Sequence, residues 1–167
     1  MTYILAILSL CWAILFRVEE DLSSLAVWVV DFDGQVEPYK DVTPMVGPQI
    51  VQAAEKLIAP SGSLGWLARF PADFNYDPME VRSQIYDFKA WAAIIINGNA
   101  TALLQDAVQS GNASYDPMGA AQTFIVTARD DSTHFNYIDP QLTMFEQQVT
   151  TTFGEVSIWT ALQVHIY

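Results

Sequence analysis

Apolar positions form one unbroken block at the amino terminus and then recur in short bursts between polar, glycine- and proline-marked stretches. The block, Tyr3 to Phe16 (YILAILSLCWAILF), is interrupted in polarity only by Ser9, whose hydroxyl a helix can satisfy on its own backbone. As a helix it would extend about 21 Å at about 1.5 Å per residue, short of a hydrocarbon core of roughly 30 Å. Three readings compete for it: a transmembrane anchor, a signal peptide or a buried core helix. Met1 and Thr2 add no positive charge, and Phe16, Arg17, Val18 and Glu19 offer no small-residue cleavage site, which weighs against a signal peptide. Arg17 can snorkel to the interface and Val18 lengthens the run, so the expectation is an anchor over residues 1–18. The missing basic flank predicts a cytoplasmic leader lost before Met1, and it leaves orientation unreadable from Lys and Arg counts.

Beyond the block, the periodicity alternates between strand and helix. Leu25 to Phe32 (LAVWVVDF) is β-branched and aromatic and stops at the turn pair Asp33-Gly34, which predicts a buried strand. Pro44 to Ile58 places Val46, Ile50, Ala53, Ala54 and Leu57 at helical spacing, with Pro60 and Gly62 beyond. Leu64 to Ala68 predicts a short strand. Asp77-Pro78-Met79-Glu80 supplies a cap, a first-turn proline and a glutamate able to reach back, opening a helix to about Lys89. Trp91 to Ile96 (WAAIII) is apolar throughout, as in a central strand covered on both faces. Asn99 is the expected cap of a helix ending at Gly111. Gln122 to Arg129 alternates as a strand with one wetter face, and Asp139-Pro140 opens a helix carrying Leu142, Phe145 and Val149 and ending at Gly154. This order predicts an α/β domain over residues 19–154, with right-handed crossovers, between the anchor and an atypical tail over 155–167 that is either a final strand or a truncated piece.

Composition narrows the function classes. The 167 residues are 51% apolar and 16% charged, with 7 basic against 19 acidic side chains and a net charge of −12. This is one domain with ample surface to bury, too hydrophobic for disorder. Its charge repels polyphosphate, so nucleic acid is excluded as a partner. A single cysteine, Cys11, cannot form an intrachain disulfide or a thiolate metal site. All charged residues lie after Phe16, and the sequons Asn99-Ala100-Thr101 and Asn112-Ala113-Ser114 make Asn99 and Asn112 glycosylation candidates. Together these point to a membrane protein that is single-pass as given. Its soluble domain would lie outside the cytosol, at the plasma membrane or in the secretory pathway.

Candidate chemistry is sparse. Val29-Val30-Asp31-Phe32-Asp33-Gly34 resembles the first motif of haloacid-dehalogenase-type phosphatases, a hydrophobic strand ending in DxDG. There the first aspartate attacks phosphorus, the second acts as acid and base, and magnesium offsets their charge. On that reading Lys89 would bind phosphate and Asp130-Asp131 would supply the distal acidic pair. Gln35 stands where the family has threonine, and the alternative is that Asp31 and Asp33 merely close a strand and shape a turn. His134, expected in a loop, and His165 are the only imidazoles, so there is no histidine cluster. No G-x-S-x-G elbow and no G-x-x-x-x-G-K-[ST] loop occurs. Trp12, Trp28, Trp66, Trp91 and Trp159 read as core or interface anchors. No catalytic, cofactor or metal site is therefore assigned.

The ordered blocks VWVVDFDGQVEPY, LGW, DPMEVRSQIYDFKAWAAIIINGNATALLQDAV, GNASYDPMGAAQTFIVTARDD and NYIDPQLTMFEQQV resemble a fungal family of membrane proteins of unknown function. That family is related to the nitrosoguanidine-resistance protein and similar to permease-like proteins of the second ABC type. The resemblance runs from about Ile4 to Phe153. It implies an amino-terminal membrane helix, a large extracytoplasmic domain and several later membrane helices. GEVSIWTALQVHIY ends the chain before a second span, so a fragment or mispredicted gene is expected. The implied protein is non-enzymatic and linked to export or to drug or stress resistance. Its partners would be the lipid bilayer and either the missing helices or further copies of itself. The rival is a membrane-tethered phosphatase using Asp31 and Asp33, and a third class is a secreted ligand-binding domain released near Arg17.

Overall fold

The computed structural model describes residues 3, 4, 7–9, 12, 21–58, 62–112 and 114–164, the side chains of 118 and 153–164 excepted. Most of the predicted anchor, and His165, therefore lie outside the described residues. Tyr3, Ile4, Ile7, Leu8 and Trp12 are helical and exposed. Among the described residues no helix is long and apolar enough to cross a membrane.

The domain is α/β, as its periodicity predicts. Among the described residues four strands, β1 (Ala26–Asp31), β2 (Gly65–Arg69), β3 (Ala92–Ile96) and β4 (Ala121–Ile125), form one sheet in the order β2-β1-β3-β4. β1 pairs in parallel with both β2 and β3. Helices α1 (Val46–Lys56), α2 (Pro78–Tyr86) and α3 (Ala100–Ser110) follow β1, β2 and β3 in turn, and α4 (Asp139–Val164) closes the fold. β1 and β3 are buried on both faces because the sheet carries helices on both sides. On one side Val27, Val29, Ile94 and Ile96 pack with Val46 and Ile50 of α1, Leu104 of α3 and Leu142 and Phe145 of α4. On the other, Trp28, Val30 and Ile95 meet Phe74 and the Val81 and Ile85 stripe of α2.

Three expectations need correction. β4 runs antiparallel to β3 rather than continuing a parallel series. The backbone N–H of Asn97 donates to the Ala120 carbonyl at 2.9 Å and its side-chain Nδ2 to the Gly119 carbonyl at 2.8 Å. These bonds start β4 at the end where β3 stops and force it to run back. The last helix begins at Asp139, as its Asp-Pro start predicts, but does not end at Gly154. Asp130 caps a helical turn, Asp131–Thr133, which passes through a π-helical turn, His134–Ile138, directly into α4. The wide turn sits just ahead of Pro140, which lacks the N–H that an unbroken α-helix would aim back at the preceding turn. α4 then continues to Val164, across the boundary expected at residue 154, so this stretch is no final strand. His134 lies in the π-helical turn, not in a loop, and is 7% exposed with Nδ1 unpaired.

Candidate functional site

β1 is hydrophobic up to its last residue, and it delivers two carboxyls to the carboxyl end of the sheet. At that end α1 and α3 depart from the neighbouring strands β1 and β3, the place where open α/β sheets usually receive ligands. Here the chain fills it with its own acid. Asp33 is fully buried. Its Oδ2 accepts from the Gly47 N–H at 3.0 Å, its Oδ1 from the Thr101 N–H at 2.9 Å, and Oδ2 also from the Thr101 hydroxyl at 2.5 Å. Gly47 and Thr101 are second residues of α1 and α3, so one carboxylate caps two helices whose amino-terminal N–H groups would otherwise be orphaned.

Thr101 completes the arrangement. Its Oγ1 accepts from the N–H groups of Met45 at 2.8 Å and Val46 at 3.0 Å. Its single hydroxyl hydrogen is thereby left for Asp33, which must act as acceptor. Asn99, expected to cap α3, makes no side-chain cap bond, because Asp33 supplies that cap from 68 residues away.

Asp31 is different. It is half-buried, and among the described residues its carboxyl accepts only from the Asp33 N–H, at 2.9 Å, while its backbone carbonyl accepts from Gln35 Nε2. Burial pushes the Asp31 carboxyl up to about 6; the Asp33 N–H opposes this and the Asp33 charge adds to it. A β-carbon on Gly47 would fall on this carboxyl, so only glycine lets α1 approach it. Asp31 opens on a cleft of about 400 Å³ lined also by Gln35, Pro48, Val51, Gln52, Glu55 and Phe70. A carboxyl that titrates near neutrality in a cleft can bind a cation or exchange a proton.

The remaining candidates are elsewhere. Lys89 precedes β3 and Asp130 follows antiparallel β4, so both lie at the opposite end of the sheet, about 16 Å away at the rise of a five-residue strand. There the Arg129 guanidinium donates to the carbonyls of Phe88 and Ala90, on either side of Lys89. Asp130 accepts from the Ser132 and Thr133 N–H groups and the Thr133 hydroxyl, and these bonds, the hydroxyl's foremost, hold its carboxyl below the ordinary range. Asp131 is exposed beside it. The structure thus brings Asp31 to Asp33 but neither to Lys89 nor to Asp130. Among the described residues no three His, Cys, Asp or Glu side chains gather as a metal site. Of the sequons, Asn112 is exposed, whereas Asn99 is half-buried and its Thr101 hydroxyl is consumed by Asp33. Trp28 and Trp66 are core residues, Trp91 is half-buried and Trp12 is exposed.

The chain belongs to the family described as protein of unknown function, DUF3533, which it matches over residues 1–164. That match takes in the apolar amino-terminal run and the α/β domain together. No curated protein and no solved structure matches it.

Gly47 and Thr101 escape sequence reasoning because each acts through a partner distant in the chain. A glycine in the first turn of the helix predicted from Pro44, followed by another proline, is the one local sign that something presses against α1 there.

Proposed function

We propose that this chain is the extracytoplasmic α/β part of a non-enzymatic membrane protein, attached to the bilayer through residues 1–18. The observation that carries this reading is the exposure of Tyr3, Ile4, Ile7 and Leu8, helical apolar side chains. Apolar surface of this kind is costly in water and is favourable against lipid. The family match supports it by treating the run and the domain as one unit. The burial of Asp33 supports a scaffold role for the DxDG turn, since all its capping bonds go to the chain itself. A link to export or drug and stress resistance rests on the fungal resemblance, as do bilayer-embedded helices or further copies of the chain as partners.

Expression of the full chain in a eukaryotic secretory host, followed by alkaline carbonate extraction, tests the attachment. The chain should stay in the membrane pellet, move to the supernatant when residues 1–18 are deleted, and lose mass at Asn112 on glycosidase treatment. Recovery of the full chain in the supernatant without detergent would overturn the reading.

A second reading, a membrane-tethered phosphatase, is favoured by one observation, the Asp31 carboxyl facing a cleft at the carboxyl end of β1. A fluorogenic phosphate ester assay separates the two. Equal background turnover by the wild type and Asp31→Asn rejects the enzyme, and turnover lost in the variant supports it.

A further inference from the structure

The cleft beside Asp31 has a lining whose charge is one-sided. Pro48, Val51, Gln52 and Glu55 fall at spacings of three, four and seven along α1 and so form one strip of that helix. Opposite them stand Val29 and Asp31 of β1, Ala68 of β2 and the Phe70-Pro71 corner. Arg69 contributes to the rim, but its guanidinium is committed to the other face of the sheet, 5.1 Å from the Trp28 ring centroid, 5.7 Å from that of Phe74, and bonded to Asp73 at 3.1 Å. The remaining polar groups are two carboxyls and two amides. Among the described residues the side chains of Gln52 and Glu55 make no hydrogen bond, and the Asp31 carboxyl has only the Asp33 N–H.

The acids stand apart. Asp31 lies against Gly47 at the start of α1, and Glu55 comes eight residues later, about 12 Å along the helix axis. Between them Val29, Pro48, Val51 and Ala68 make aliphatic walls, with the Gln52 amide on the same strip of α1. Carboxylates at the two ends of an aliphatic trough cannot share one metal ion. They fit a ligand with positive charge at both ends and methylenes between. We propose that this cleft binds a linear aliphatic diamine in its diammonium form, one ammonium on Asp31 and the other on Glu55. The volume, about 400 Å³, lies within the range of small-ligand sites. The proposal holds whether or not the chain is attached to a membrane. It opposes the phosphatase reading of the same aspartate, because a phosphate ester is an anion and would find no facing cation.

Calorimetric titration of the full chain, in detergent if needed, with cadaverine as the probe and glutarate as the length-matched dianion, tests this. Wild type should bind cadaverine saturably and not glutarate. Asp31→Asn, removing the half-buried charge, should weaken binding about tenfold or more. Glu55→Gln, removing an exposed charge, should weaken it about two- to threefold. Gln52→Trp, placing an indole over the trough, should abolish it, and Asp106→Asn, an exposed acid on α3, should leave it unchanged. If Asp31→Asn fails to fold, judged by circular dichroism, the surface variants Glu55→Gln and Gln52→Trp decide. The proposal is overturned by no saturable binding, by equal binding of glutarate, or by affinity that none of the cleft variants alters.

Discussion

Gly47 and Asp31 stand so close that a single methyl group on the glycine would occupy the aspartate's carboxyl atoms. The contact joins the first turn of α1 to the last residue of β1. Gly47→Ala should therefore destabilise the fold by about 2–4 kcal/mol, an overpacking cost at the upper end of the usual range. Because the colliding atoms all belong to the carboxyl, Asp31→Ala should remove most of that cost. Chemical denaturation of the two single variants and the double variant gives the coupling directly, and additive effects would show that the contact is not what excludes a side chain at residue 47.

Thr101 offers a sharper test of the double cap. Thr101→Val keeps the shape but strands the Met45 and Val46 N–H groups and removes one of the two donors to Asp33 Oδ2, which should cost about 2–4 kcal/mol. Thr101→Ser keeps the hydroxyl and should lose only about 1 kcal/mol with the methyl. Equal losses in thermal unfolding would mean that packing, not hydrogen bonding, fixes this position.

Stability should also depend on pH through Asp31. Its folded-state value, about 6, lies above the ordinary 3.8, so the native state holds this proton more tightly than the unfolded state does. The stability this site contributes is fully present below 3.8 and is lost as the pH rises through about 6. The ceiling is about 3 kcal/mol at about 1.4 kcal/mol per unit. Solvent reaching the carboxyl through the cleft lowers the expected effect to about 1–2 kcal/mol. Asp31→Asn should stabilise the protein by that amount at pH 7 and by almost nothing at pH 4, and urea melts at both values check the sign.

At the opposite end of the sheet, the Arg129 guanidinium lies 4.0 Å from the Trp91 ring centroid and reaches the carbonyls of Phe88 and Ala90. Arg129→Lys loses the planar fork and most of the stacking, so it should cost nearly as much as Arg129→Ala, about 1 kcal/mol in each case. A lysine that restored full stability would reduce the contact to simple charge.

Local chemistry made much of this fold legible. The β-branched run at 25–32, the all-apolar WAAIII, the Asp77-Pro78 start and the Gly111 stop each sit where the structure has the matching element, and Gly111 adopts the left-handed conformation expected of such a stop. Asp77 accepts from the Met79 N–H, but Glu80 does not complete the box, since Phe74 takes the Asp77 N–H and Gln84 takes Glu80. What escaped depends on distance along the chain. The direction of β4 is set by Asn97, the helical turns that lead into the last helix by the bonds Asp130 makes with Thr133, and the cap of α3 by Asp33. Asp31 and Asp33 stood out in the sequence as an alternating pair. Their division into one acid buried among amides and one facing a cleft is visible only when α1 and α3 converge on them.

That convergence ties residue 33 to residues 45–47 and 101 through two side chains, so the first turns of α1 and α3 cannot loosen separately. In native-state hydrogen exchange the amides of Gly47 and Thr101 should open together, at one shared rate, and anything that tugged α3 outward would unfasten α1 as well.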